Sequence, residues 1–236
     1  MSAFLYGIGL QFRMDARNRG ILLTYYVVPL VFYAFMGGIF TSIDPAAKET
    51  LIQSMTIFGV TMGAYLGTPI PLTELYGSEL RKAYRVGGIP LWTAALNNFL
   101  SGFLHLFAMS LILFLTAPLL FQAACPAGLP AYFLALALFL AVSLAVGTVL
   151  GLFAKSAAKL TMVSQFLFLP SIMLSGIMFP ASMLPKPLAL LGKLFPATWS
   201  YRLLCGDWAA VWPLAGFLVA ALLLAVWRLH TLRKAS

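Results

Sequence analysis

Phe179-Pro-Ala-Ser-Met-Leu-Pro-Lys-Pro-Leu-Ala-Leu-Leu-Gly-Lys-Leu-Phe-Pro-Ala-Thr-Trp-Ser-Tyr201 is an apolar stretch cut repeatedly by proline, and it separates the last two of six hydrophobic runs of membrane-spanning length. A hydrocarbon core about 30 Å thick asks for about 20 apolar residues per helix. The 236 residues therefore divide into six spans, short connections and almost nothing else, which leaves no room for a soluble catalytic domain.

Composition agrees with a chain solvated by lipid. Hydrophobic residues make up 62% and charged residues 9%, whereas about a quarter of a soluble domain is charged. The formal charge of +9 raises the question of nucleic acid. The basic residues fall in short clusters between hydrophobic runs instead of on one continuous face, so they read as topology signals and no nucleic-acid partner is expected.

Working outward from the elbow, span six covers about Ala209 to Trp227 and is followed by Arg228, His230, Arg233 and Lys234. Span five covers about Leu160 to Phe179, with Pro170 inside it as an expected kink. Span four runs from Ala131 to Phe153, and a turn from Pro118 to Pro130 joins it to span three, about Leu91 to Ala117. The stretch from Thr73 to Pro90 is the internal segment densest in charge and reads as a short surface helix ended by Gly87-Gly88. Span two covers about Leu51 to Leu72 and span one about Gly20 to Phe40, with Ser42 to Thr50 as the polar turn between them. Residues 1–19 place Phe4, Leu5, Ile8, Leu10 and Phe12 ahead of Arg13, Arg17 and Arg19, a pattern for an amphipathic helix lying at the membrane interface. No cleaved signal peptide is expected.

This layout puts eleven Lys and Arg on the side of both termini and four, Lys48, Lys186, Lys193 and Arg202, on the other. The positive-inside rule then makes both termini cytoplasmic. The fold class is an all-α membrane protein forming one domain over residues 1–236. Cys125 and Cys205 fall on the outer side, and their spacing leaves open whether they are bonded. No Cys/His spacing marks a metal site.

The six acidic residues all fall in connections or at span ends, so the spans hold only neutral polar groups plus His105. An ion-coupled carrier would keep ionisable groups at mid-membrane depth, so the energy for uphill transport must come from elsewhere. Asn97, Ser101 and His105 recur every four residues on span three, a stripe that either faces a pathway or hydrogen-bonds neighbouring helices. Met162, Phe166, Leu169 and Met173 give span five an adaptable apolar face, suited either to pathway lining or to packing. The chain has no Gly-x-Ser-x-Gly, no His-Glu-x-x-His and no Gly-x-x-x-x-Gly-Lys-Ser/Thr loop. No catalytic residue is assigned, and if ATP is used another chain binds it.

Leu174-Ser-Gly-Ile-Met-Phe-Pro-Ala-Ser-Met-Leu-Pro-Lys-Pro-Leu, followed by Leu194-Phe-Pro-Ala-Thr, resembles the signature of ABC-2 type permeases, the membrane subunits of a class of exporters. Phe179, Pro180, Leu184, Pro185, Pro196 and Thr198 carry the match. A second resemblance lies after span two, at Glu74, Gly77, Leu80, Arg81, Lys82 and Pro90, with Ser78-Glu79 and Gly87-Gly88 departing from the family pattern. The resemblance implies half of a transmembrane dimer, completed by a second copy or a similar permease, in a bacterial plasma membrane. It also implies a separate ABC ATPase that holds ATP and Mg and docks against a coupling helix over 73–90, with Glu74, Gly77, Glu79, Arg81, Lys82 and Arg85, and against the N-terminal helix. Residues 180–205 become short outer re-entrant helices between spans five and six. The cargo class is a drug, lipid or glycan. A membrane assembly or scaffold protein that never transports is the alternative.

Overall fold

The computed structural model describes residues 3–77, 84, 86–178 and 183–234, and every regular element among them is helical. In chain order these are α1 (Ala3–Arg17), α2 (Arg19–Ile43), α3 (Leu51–Met62), α4 (Pro69–Gly77), α5 (Leu91–Phe121), α6 (Leu129–Phe153), α7 (Ala157–Leu174), α8 (Lys186–Gly192), α9 (Pro196–Leu204) and α10 (Val211–Lys234). Among the described residues five helices are long and apolar enough to cross a membrane: α2, α5, α6, α7 and α10 with the turn that leads into it.

The expected second span departs from its prediction as one continuous helix. It is broken into α3, a π-turn over Gly63–Gly67, and α4. The cause is local: Pro69 and Pro71 lack the donors that would bond the carbonyls of Tyr65 and Gly67, and Thr68 N–H reaches back five residues to Gly63 O at 3.0 Å instead. The same device recurs in α2, where a π-turn over Leu23–Val27 precedes Pro29 and Val28 N–H bonds Leu23 O.

Although broken, this segment is the axis of the bundle. Every residue of α3 is buried, the polar Gln53, Ser54, Thr56 and Thr61 included. Glycines let α6 approach it backbone to backbone: a methyl at Gly147 would overlap the Ala64 carbonyl oxygen, and one at Gly151 would lie 2.8 Å from Pro69 O. Such close approach is how helices gain packing energy in lipid, where apolar burial alone discriminates little. The segment runs the length of its neighbours. At one end Lys48 O accepts from Ala124 N–H, and Thr56 Oγ1 lies 3.2 Å from Tyr132 OH. At the other, Thr73 Oγ1 donates to Gly151 O at 3.3 Å and Tyr76 OH to Leu91 O at 2.5 Å.

Other boundaries shift for identifiable reasons. Helix α5 continues past Ala117 through Pro118, which forfeits one bond, and stops at Gln122 in the left-handed region at φ 55°. Helix α7 starts at its Ser156 cap and ends at Leu174, well before Phe179. Gly176 there has φ 94°, so Ser175-Gly176 turns the chain. Helix α10 carries on beyond Trp227, and Arg228 Nε donates to Leu152 O at the end of α6.

Helices α8 and α9 occupy most of the described elbow. Gly192 lies against the Leu174 carbonyl at the end of α7. Thr198 Oγ1 donates to Gly192 O at 2.6 Å and Trp199 Nε1 to Lys193 O at 2.8 Å, so the start of α9 satisfies carbonyls that α8 leaves open. Pro196 sits at the first position of α9, where its missing donor costs nothing. Cys125 and Cys205 are free, exposed thiols.

Candidate functional site

Where α1, α2, the break between α3 and α4, and α5 converge, the protein buries a polar cluster. Thr68, fully buried, is its first node. Its hydroxyl lies 3.0 Å from Tyr25 OH, and its carbonyl accepts from Asn98 Nδ2 at 3.0 Å. Neighbouring side chains thereby bond the residue at the break, next to the Gly67 carbonyl that loses its proline-position donor. Room for Tyr25 comes from glycine, since a methyl at Gly67 would lie 2.5 Å from the tyrosine ring.

One turn further along α5 lies the second node. Ser101 Oγ donates to Asp15 Oδ2 at 2.5 Å, and Gln11 Nε2 to Asp15 Oδ1 at 2.9 Å. His105 stands beside them, 2.9 Å from Tyr26 OH through Nδ1 and 3.3 Å from Phe12 O through Nε2, with the Phe12 ring stacked on it at 4.0 Å. Asp15 is 2% exposed. Burial pushes its carboxyl above the ordinary value, while the Ser101 and Gln11 bonds and the charge of His105 pull it part of the way back. Gly7 completes the seam, because any side chain there would strike Asn97 Nδ2 at 2.6 Å.

The arrangement binds α1 to the bundle by a buried carboxylate instead of by surface apolar contact alone. It contains no nucleophile and base pair in hydrogen-bond reach of a reacting atom, and its chemistry is that of positioning. Tyr25, Asn98, Thr68 and Asp15 were not singled out from the sequence, where Asp15 passed as one more charge in an amphipathic stretch. Gly7, Gln11 and Asp15 are spaced by four, as are Asn97, Ser101 and His105, and this matched pair of stripes is the signal that could have found the seam.

A family model of the ABC-2 type transporter matches residues 5–206 of the chain. The chain belongs to the ABC-2 type transporter family. A comparison with curated proteins returns no match. The match takes in the polar cluster, the broken central segment and the elbow, and a multi-pass membrane domain is what this family of transporters contributes.

Within this ABC-2 domain the other expected residues are placed as follows. Ser101 and His105 bond α1 and α2, and Asn97 faces Gly7 with its Oδ1 buried and unpartnered. Arg13, Arg17 and Arg19 are exposed. Glu74 is exposed on α4 and Gly77 closes that helix. Glu79, Arg81, Lys82 and Arg85, and in the elbow Phe179 and Pro180, lie outside the described residues. The expected Gly87-Gly88 stop is present: Gly88 has φ 65° and Ile89 N–H bonds Tyr84 O at 2.8 Å. Met162, Phe166, Leu169 and Met173 form one uncovered row on α7. Pro185 precedes α8, while Pro196 and Thr198 build the α8–α9 joint.

Proposed function

We propose that the chain is the permease subunit of an ATP-driven exporter and supplies half of a transmembrane pathway for a hydrophobic or amphipathic cargo, whether drug, lipid or glycan. In this reading Leu51–Gly77 is the sixth crossing, both termini are cytoplasmic in a bacterial inner membrane, and α8–α9 form an outer re-entrant cap. A second permease copy or a similar permease completes the pathway. Met162, Phe166 and Met173 line it, and Asn97, Ser101 and His105 hold α1 beside it. A separate ABC ATPase carries ATP and Mg and docks on 73–90, through Glu74, Gly77, Glu79, Arg81, Lys82 and Arg85, and on α1 near Arg13, Arg17 and Arg19.

One observation carries the reading beyond family membership. Helix α4 bears exposed Glu74 in the turn next to Thr73, which is bonded to α6, and it begins at the Thr68 node tied to α2 and α5. A displacement at α4 therefore reaches three helices through these bonds.

The test is purification in mild detergent, identification of the co-purifying protein, and substrate-stimulated ATP turnover of the reconstituted complex. An associated ATPase whose turnover responds to cargo is expected, with Glu74→Ala and Arg81→Glu lowering coupled transport in normally inserted protein. Transport without any nucleotide-hydrolysing companion would overturn the proposal, and an associated ATPase with no cargo-dependent turnover or flux would favour a non-transporting scaffold. A reporter fused after Arg85 is expected inside and one after Lys193 outside.

A further inference from the structure

The last turns of α10 and the start of α5 border an open cavity of about 620 Å³, lined by Gly88, Ile89, Leu91, Trp92, Leu229 and Arg233 together with Pro90, Val226 and His230. Its size falls in the range of about 300–1,000 Å³ usual for ligand pockets. The lining is divided by chemistry. Arg233 and His230 project from the last turns of α10, and no carboxylate lines the cavity among the described residues. Arg233 also has no acidic partner among the described residues. At the start of α5 the Thr93 amide donates to Pro90 O at 3.0 Å, while those of Leu91 and Trp92 have no helical acceptor and add partial positive charge at the same place. Ile89, Trp92 and Val226 make the remaining wall apolar, and all three stay exposed at its edge.

We propose that this cavity is a binding site for one anionic phospholipid of the adjoining leaflet. The phosphate sits between Arg233, His230 and the start of α5, and the first acyl segment lies along Ile89, Trp92 and Val226. The charge selects an anion. The contiguous apolar wall, with a tryptophan at the rim, selects an anion that carries a chain, as basic pockets beside membrane helices do for acidic headgroups. The site joins α10 to the residues that follow Gly88, so an occupied cavity would hold the start of α5 against α10. The assignment needs only a membrane-embedded chain and is independent of transport.

Native mass spectrometry of the full-length chain in detergent tests it, with dioleoyl phosphatidylglycerol, dioleoyl phosphatidylcholine and free glycerol phosphate as separate probes. Phosphatidylglycerol is expected to be retained in preference to phosphatidylcholine, with free glycerol phosphate not retained and the preference lost in Arg233→Glu/His230→Ala. Equal retention of both lipids, retention of free glycerol phosphate alone, or an unchanged preference in the variant would overturn the proposal. A second measurement avoids any folding defect of that variant: brominated phosphatidylglycerol should quench the fluorescence that distinguishes the native chain from Trp92→Phe more than brominated phosphatidylcholine does. Equal quenching by the two lipids counts against the site.

Discussion

Two hydrophobic segments of this protein contain proline at mid-length and behave oppositely. Leu51–Gly77 breaks at Gly63–Gly67 and Pro69, whereas α7 runs unbroken through Pro170. Their surroundings explain the contrast. The first is wrapped by neighbours, and Asn98 and Tyr25 reach in to bond Thr68. The second leaves Met162, Phe166 and Leu169 uncovered, so it has fewer side chains to complete a broken ladder; beside the proline, Ser171 bonds Leu167 O at 2.6 Å and meets the Tyr65 hydroxyl. In this pair of segments the irregular backbone sits where protein covers it and the regular ladder is kept where the side chains stay exposed.

The harshest way to break that contrast is to force the covered segment away from its cover. Gly147→Ala drives a methyl into the Ala64 carbonyl, a backbone atom that cannot rotate aside. We expect a loss of stability at or above the top of the ~1–3 kcal/mol typical of overpacking. Gly216→Ala on α10, with nothing within 4 Å, is the control; there the better helix former should be neutral or stabilising by up to about 1 kcal/mol. Thermal unfolding of both variants in one detergent reads the difference, and equal melting would mean that α6 does not clamp the break.

Removing a donor is milder. Asn98→Ala removes the bond that the buried Thr68 carbonyl accepts from α5, a cost of about 0.5–1.5 kcal/mol. Thr161→Ala in α7 removes an exposed hydroxyl whose acceptor, Ala157 O, remains a helical carbonyl, and should cost at most about 0.5 kcal/mol. If the two variants melt alike, neighbour-supplied bonds are not what permits the break.

The same contrast shows what could be read from the chain alone. Five of the six expected span positions were legible because long apolar runs report the solvent directly, and the Pro196 and Thr198 joint was visible as a motif. The break at Gly63–Gly67 was not, since hydropathy registers side chains while the break comes from missing amide donors. The stripe on α5 was traced through Asn97, Ser101 and His105. The residue that bonds across is Asn98, which with Ser101 and His105 follows steps of three and four and so keeps closer to the 3.6-residue period. Asp15 was hidden because its burial depends on a helix about ninety positions away, a pairing that shows only when the stripes of α1 and α5 are set side by side.

The Asp15 seam extends the comparison to a third kind of contact, one that proton uptake can tune. With its carboxyl raised by burial, docked α1 holds a proton more readily than freed α1 does. Docking should therefore tighten as pH falls through the raised value and loosen as pH rises above it, with no further gain below the ordinary carboxylate range, where both states are protonated. Hydrogen-exchange protection factors for residues 3–17 measure this. The change should be smaller than the Asn98 effect, because Ser101, Gln11 and His105 offset part of the burial cost, and Asp15→Asn should flatten it. A pH profile unchanged in Asp15→Asn would remove the carboxylate from this role.

The gentlest perturbation falls on the uncovered row of α7. Phe166 is 77% exposed and Met162 70%, so truncating either to Ala deletes atoms that pack on nothing within the chain and should move stability by no more than about 0.5 kcal/mol. Were the row simply lipid-facing, transport would be equally indifferent, since one apolar side chain replaces another against acyl chains. Were it the pathway wall proposed above, the loss of a large ring should shift cargo-stimulated ATP turnover or its cargo preference in a protein that melts normally. Leu134 on α6, 64% exposed, supplies the matched site outside the proposed wall. Turnover altered by Phe166→Ala and unaltered by Leu134→Ala assigns the row to the pathway, and equal indifference of both assigns it to lipid.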